Sequence, residues 1–112
     1  NELDCKVLLE KLSRANQEIY FTPSLKNRIE IASCHAGKHK GLQYVLKRCN
    51  ISRSETAAFG DADNDVEMIR FVRYGIAVQN ASKNCLDAAW RVVPSNMADG
   101  VAIGIENLLS LK

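Results

Sequence analysis

No CxxC pair occurs in the sequence: Cys5, Cys34, Cys49 and Cys85 stand far apart, which argues against a zinc site or a dithiol redox motif. Three of them sit on apolar faces of the expected helices or strands and read instead as buried thiols, kept reduced in a cytosol. No apolar run reaches the roughly 20 residues that span a bilayer, and no signal peptide opens the chain, so a cytoplasmic location without membrane contact is expected. Basic residues form neither a run nor a stripe interleaved with aromatics, and the net charge is only +2, so nucleic-acid binding has no support in the sequence. Internal repeats, low-complexity tracts and Ser/Gly-rich linkers are missing as well. The first residue is Asn1 rather than Met, which makes a processed form or a segment of a longer protein the expectation. What remains is ordinary globular composition, 46% hydrophobic and 25% charged over 112 residues. That is enough for one core, but small for an α/β enzyme that carries its own substrate domain.

Against this background one stretch stands out, Ala57-Ala58-Phe59-Gly60-Asp61-Ala62-Asp63-Asn64-Asp65, with three carboxylates and an amide in its last five positions. Like charges this close repel, and a fold that converges them usually supplies a cation; an all-oxygen set suits a hard ion such as Mg2+. The apolar run before it reads as a strand, and Val66-Glu67-Met68-Ile69-Arg70-Phe71-Val72 after it as a helix. The acidic turn therefore falls at the carboxyl end of a strand, where α/β sheets bind ligands. A plainer reading competes, since Asp and Asn favour turns and helix N-caps. An EF-hand loop is excluded, because the positions that need Gly and Glu hold Val66 and Val72.

The apolar spacing predicts a helix over 3–15, strands over 18–22 and 28–32 joined as a hairpin across Pro23–Asn27, and then a change of rhythm. From there helix 40–49, strand 56–59, helix 64–72, strand 75–79, helix 82–89, strand 91–93 and helix 99–110 alternate as parallel βαβ units. The one candidate boundary is His35-Ala36-Gly37-Lys38-His39. His35 and His39 lack a Cys or carboxylate to complete a metal set and read as surface or hinge residues. Lys40-Gly41 opens the next helix; a cation there opposes the helix dipole, which makes more sense with an anion bound nearby.

In order, Ile29-Glu30-Ile31, Lys40-Gly41, Phe59 to Met68, Gly75-Ile76-Ala77-Val78-Gln79-Asn80-Ala81 and Asp99-Gly100-Val101 resemble the C-terminal part of a Cof-type phosphatase of the haloacid dehalogenase superfamily. The resemblance implies an α/β fold: the C-terminal half of a three-layer Rossmann-like core over 36–112, preceded over 1–35 by a helix-strand-strand end of an α+β cap domain. It implies a magnesium-dependent phosphate-monoester hydrolase of small phosphorylated metabolites, such as sugar phosphates, working through an aspartyl-phosphate. In that pattern Lys40 neutralises the phosphoryl group, Asp61 binds Mg2+, Asn64 orients phosphate or the lysine, and Asp65 supports the metal directly or through water. Asp63 has no role in the pattern and reads as a turn or cap residue. The nucleophile stretch Asp-x-Asp-Gly is missing upstream of Lys40, so the 112-residue chain is not expected to complete the reaction alone. Two alternatives remain: a non-catalytic module that uses the same fold to bind metal or protein, and part of the phosphorylation domain of a P-type ATPase. The absence of a partner for strand 56–59 further predicts self-association through that sheet edge.

Overall fold

The computed structural model describes residues 1–15, 19–25, 28–33 and 36–111, and these divide into two compact units, Asn1–Gly37 and Lys38–Lys112. Among the described residues no helix is long and apolar enough to cross a membrane.

The first unit holds α1 (Glu2–Ala15), β1 (Ile19–Leu25) and β2 (Arg28–Ser33). Asn1 caps α1, its side-chain oxygen accepting the Asp4 N–H at 2.9 Å, as Asn does at a helix start. The two strands pair antiparallel from Ile19↔Ser33 to Leu25↔Arg28. Sequence reading ended the first strand at Thr22, because Pro23 reads as a breaker. The strand instead runs through Pro23, opposite Ile29, with a register shift before Leu25. A proline is tolerated there because in a two-stranded sheet each strand is an edge, and the irregularity absorbs the missing N–H.

The second unit runs α2 (Lys38–Cys49), a 3₁₀ turn at Arg53–Glu55, β3 (Ala57–Gly60), a 3₁₀ turn at Asp63–Asp65, α3 (Val66–Phe71), β4 (Tyr74–Val78), α4 (Lys83–Ala88), β5 (Arg91–Val93), a 3₁₀ turn at Asn96–Ala98 and α5 (Gly100–Leu109). The three strands are parallel in the order β3-β4-β5, with Ala57↔Tyr74 and Ile76↔Arg91 fixing the register. This is the expected alternation, although α2 begins two residues earlier than its Lys40-Gly41 signal suggested.

Side chains alternate across the central strand, which is how one strand organises three layers. Ala77 faces Val66, Ile69 and Cys85 of the α3 and α4 layer. Ile76 and Val78 face the other way, against Val93 and Leu108, and so onto α5. Gly75 lets α3 approach: a Cβ there would collide with the carbonyl of Ile69. Among the described cysteines, the expectation of buried thiols holds for Cys85. Cys85 is fully buried, Cys5 is half-buried and Cys49, the last residue of α2, is exposed, while Cys34 lies outside the described residues. Leu46 is the buried residue of α2, whereas Val45 is 52% exposed, so the apolar face of that helix is narrower than its spacing implied.

Candidate functional site

The acidic turn closes on itself through its last carboxylate. Asp65 is 3% exposed, and its Oδ2 accepts the N–H of Asp61 at 3.0 Å and of Ala62 at 3.3 Å. Its own N–H donates to the Ala62 carbonyl at 3.0 Å, so chain direction reverses within five residues without leaving a buried donor unpaired. Gly60 is needed for this: a Cβ there would stand 2.6 Å from that of Asp65. The remaining oxygen of Asp65, Oδ1, meets the ammonium of Lys38, a side chain that is half exposed. Burial pushes the Asp65 carboxyl up, but Lys38 and the two backbone N–H groups outweigh it, and the pKa lies below the ordinary carboxylate value. Asp65 is thus held ionised inside the fold.

A second set of bonds ties the turn to α4. Ser82 donates its N–H to the Asp61 carbonyl at 2.8 Å and its hydroxyl to Asp63 Oδ1 at 2.6 Å, while the same hydroxyl caps α4 by accepting the Cys85 N–H at 3.3 Å. Asp63 is therefore the anchor between the acidic turn and the next helix, consistent with a turn residue. The Cys85 thiol behind it is pushed up in pKa, first by burial and then by the carboxylates of Asp65, Asp61 and Asp63. A thiol held protonated in this way is packing, not a nucleophile.

These bonds leave Asp61 exposed at the carboxyl end of β3, with no hydrogen-bond or ion-pair partner for its carboxylate among the described residues. It lines a cavity of about 310 Å3 together with Lys38, Phe59, Gly60, Asp65, Met68, Val78, Asn96 and Val101. Asn64 is exposed in the 3₁₀ turn and is not among the lining residues.

The lysine at the cavity is Lys38. Lys40, half-buried further along α2, does not line it. Two positions on a helix are roughly 200° apart, so the two side chains leave opposite sides of α2. Sequence reading singled out Lys40 from its Lys-Gly pair and treated Lys38 as part of a hinge. The signal for Lys38 was its place at the true helix start, which periodicity does not fix. Asn96 was missed too; its Oδ1 accepts from Asn80 Nδ2 at 3.0 Å, across a separation in sequence that no local pattern covers.

Paired carboxylates on one rigid turn, one buried and one open to a cavity beside a lysine, can hold a hard cation and an oxyanion together. Among the described residues no group of three His, Cys, Asp or Glu side chains is positioned to hold a metal ion without further ligands.

A family model described as haloacid dehalogenase-like hydrolase matches residues 1–105. A phosphoglycolate phosphatase of Archaeoglobus fulgidus is 37% identical over 78 residues, which are 70% of this chain and 35% of that protein. A 5-amino-6-(5-phospho-D-ribitylamino)uracil phosphatase of Bacillus subtilis is 36% identical over 74% of this chain and 31% of its own length. Among solved structures, a Streptococcus mutans protein superposes with a TM-score of 0.87 at 32% identity, covering 97% of this chain and 42% of that one. A HAD/COF-like hydrolase of Plasmodium vivax gives 0.89 at 25% identity, over 100% of this chain and 40% of that one. The chain thus spans well under half the length of these relatives.

Proposed function

Because this chain belongs to the haloacid dehalogenase-like hydrolases, we propose that it is the C-terminal part of a cytoplasmic, magnesium-dependent phosphate-monoester hydrolase, with the turn at residues 60–65 as its metal- and phosphate-handling end. In this reading Asn1–Gly37 is the end of a cap domain and the remainder is half of the catalytic core. The observation that carries it is the division of labour in the turn: Asp65 buried and held ionised, Asp61 open to the cavity, Lys38 beside both. The Archaeoglobus fulgidus and Bacillus subtilis relatives are named as phosphatases of phosphoglycolate and of 5-amino-6-(5-phospho-D-ribitylamino)uracil, and a small phosphorylated compound is the proposed substrate.

The donor set fits Mg2+. Asp61 offers an unpartnered carboxylate, and Asp65 offers Oδ1 wherever Lys38 yields it; both are hard oxygen donors, suited to an ion that otherwise keeps its waters. When bound, the ion supplies positive charge to the phosphoryl oxygens, which phosphoryl transfer requires more than strong acid or base. Asp65 fixes the turn and sets its charge. Lys38 neutralises an oxyanion in the cavity, while the family pattern gives Asn64 the orienting of phosphate or lysine and Lys40 the neutralising of the phosphoryl group, two side chains that do not line the cavity here. The aspartyl-phosphate of the family mechanism needs a carboxylate nucleophile from an Asp-x-Asp-Gly stretch, which none of these 112 residues provides.

Two assays on p-nitrophenyl phosphate with Mg2+ test the proposal. The 112-residue chain is expected to show no turnover, and the product of the gene encoding it to show turnover that Asp61→Asn abolishes. In that gene product Lys38→Met and Lys40→Met separate the two lysines by which one lowers kcat. Turnover by the purified 112-residue chain, lost in Asp61→Ala, would overturn the partial-chain reading.

A further inference from the structure

At the opposite end of the same sheet, where β3 and β4 begin, three arginines surround a second cavity of about 270 Å3. Arg53 and Ser54 line it from the 3₁₀ turn before β3, and Arg70, Phe71 and Arg73 from the end of α3 and the link into β4. The two walls are joined by backbone: the Arg73 N–H donates to the Arg53 carbonyl at 3.1 Å, and the Tyr74 N–H to the Thr56 carbonyl at 3.3 Å. Two guanidinium groups rest on rings, Arg53 at 5.8 Å from the centroid of Phe71 and Arg73 at 5.1 Å from that of Tyr74. Stacking occupies the face of a guanidinium and leaves its in-plane N–H fork available.

The carboxylates in reach do little to neutralise this cluster. Glu55 is engaged by the Ser52 N–H at 3.2 Å in a capping box. Glu67 stands 3.5 Å from Arg70, but both side chains are more than 60% exposed, and such a pair is weak and easily exchanged. Arg53 and Arg73 have no carboxylate partner among the described residues. Three like charges around one cavity repel each other, and a bound anion relieves that repulsion.

We propose that this cavity binds the phosphate group of a small phosphorylated metabolite, or inorganic phosphate itself, through bidentate contacts from Arg53 and Arg73, with Arg70 exchanging Glu67 for the anion. Arginine suits this geometry because its planar fork matches two phosphate oxygens at once. Beyond Tyr74 the strip continues: Trp90 meets Tyr74 edge-on at 5.1 Å and carries Arg91 over its ring at 4.5 Å. That flank accommodates the organic part of an ester. The site is separate from the carboxylate turn and does not depend on its chemistry.

Titration of the 15N-labelled 112-residue chain at constant ionic strength tests the site, with inorganic phosphate, a ribonucleoside 5′-monophosphate and a short single-stranded RNA as probes. Saturable amide shifts are expected for phosphate and the monophosphate at residues 53–54 and 70–74. Replacing both Arg53 and Arg73 by Gln is expected to weaken binding at least about tenfold, the loss of roughly one charged hydrogen-bonding partner. Arg70→Gln gives a smaller loss, and Asp61→Asn none. The proposal fails if shifts are confined to Lys38 and residues 60–65, if the double variant binds phosphate undiminished, if chloride produces the same shifts, or if only the RNA binds.

Discussion

The two ends of the small parallel sheet in the second unit are chemical opposites. At the carboxyl ends of β3 and β4 the chain gathers oxygen donors within one turn, with Asp65 buried and bonded on both oxygens. At the amino ends it gathers arginines from separate segments and steadies them on aromatic rings. The first arrangement is local: five consecutive residues make the turn, and the bonds that close it, from Asp61 and Ala62 to Asp65, join positions four and three apart. The second is assembled only by strand pairing, which brings Arg73 next to Arg53. Charge that is contiguous in sequence announces itself before folding, whereas charge that folding collects does not.

The largest effect is expected from removing the buried anion. Asp65→Ala leaves two backbone N–H groups without an acceptor inside the fold and should cost about 2–3 kcal/mol in urea unfolding, most of it from those donors. Lys38 adds little to that figure, because it is half exposed and screened by water. Acidification should do the same job gradually. The Asp65 carboxyl has a lower pKa folded than unfolded, so its contribution is complete above the ordinary carboxylate pKa and is lost as pH falls through the lowered folded value. In Asp65→Ala that acid limb of the stability curve should flatten; an unchanged limb would assign it to other carboxylates.

A second way to sharpen the contrast concerns the edge of the sheet. Among the described residues β3 is an outer strand of the β3-β4-β5 order, and its last two residues, Phe59 and Gly60, line the carboxylate cavity. An unpaired apolar edge invites pairing with another copy. Light scattering over a concentration series should show association of the 112-residue chain that Ala57→Lys reduces. A concentration-independent monomer, indifferent to the substitution, would contradict the proposed self-association.

The smallest effect is expected from Ser82→Ala, which removes the α4 cap and the hydroxyl bond to Asp63. The cost should be about 1 kcal/mol in thermal or urea unfolding. A heteronuclear relaxation measurement should then show increased motion at residues 61–64, with the arginine end unaffected. Equal loosening of both ends would mean that they are mechanically coupled through β4.

Much of this was legible beforehand. The alternation of strands and helices after residue 40 follows from period, and the closed turn at residues 60–65 follows from chemistry written in consecutive residues. Pro23 misled because its effect depends on whether the strand has a neighbour on that side, which sequence does not state. Lys40 stands out because a Lys-Gly pair is visible as a pattern, whereas the ion pair of Lys38 with Asp65 joins positions 27 apart in sequence. Cys49 looked buried because helical spacing puts it near Leu46, yet it is the last residue of α2 and is exposed. The arginine cavity was invisible for a simpler reason, since its residues lie in segments that only the sheet brings together.

The most direct test of the central claim, that residues 60–65 form a metal-binding turn governed by Asp61, is a Mg2+ titration of the 15N-labelled 112-residue chain, repeated with Asp61→Asn. Weak, saturable shifts confined to residues 60–65 and to Lys38 are expected, as the ammonium is displaced from Asp65, with their loss in the Asp61→Asn variant. Tight binding, or shifts that persist unchanged without the Asp61 carboxylate, would contradict that claim.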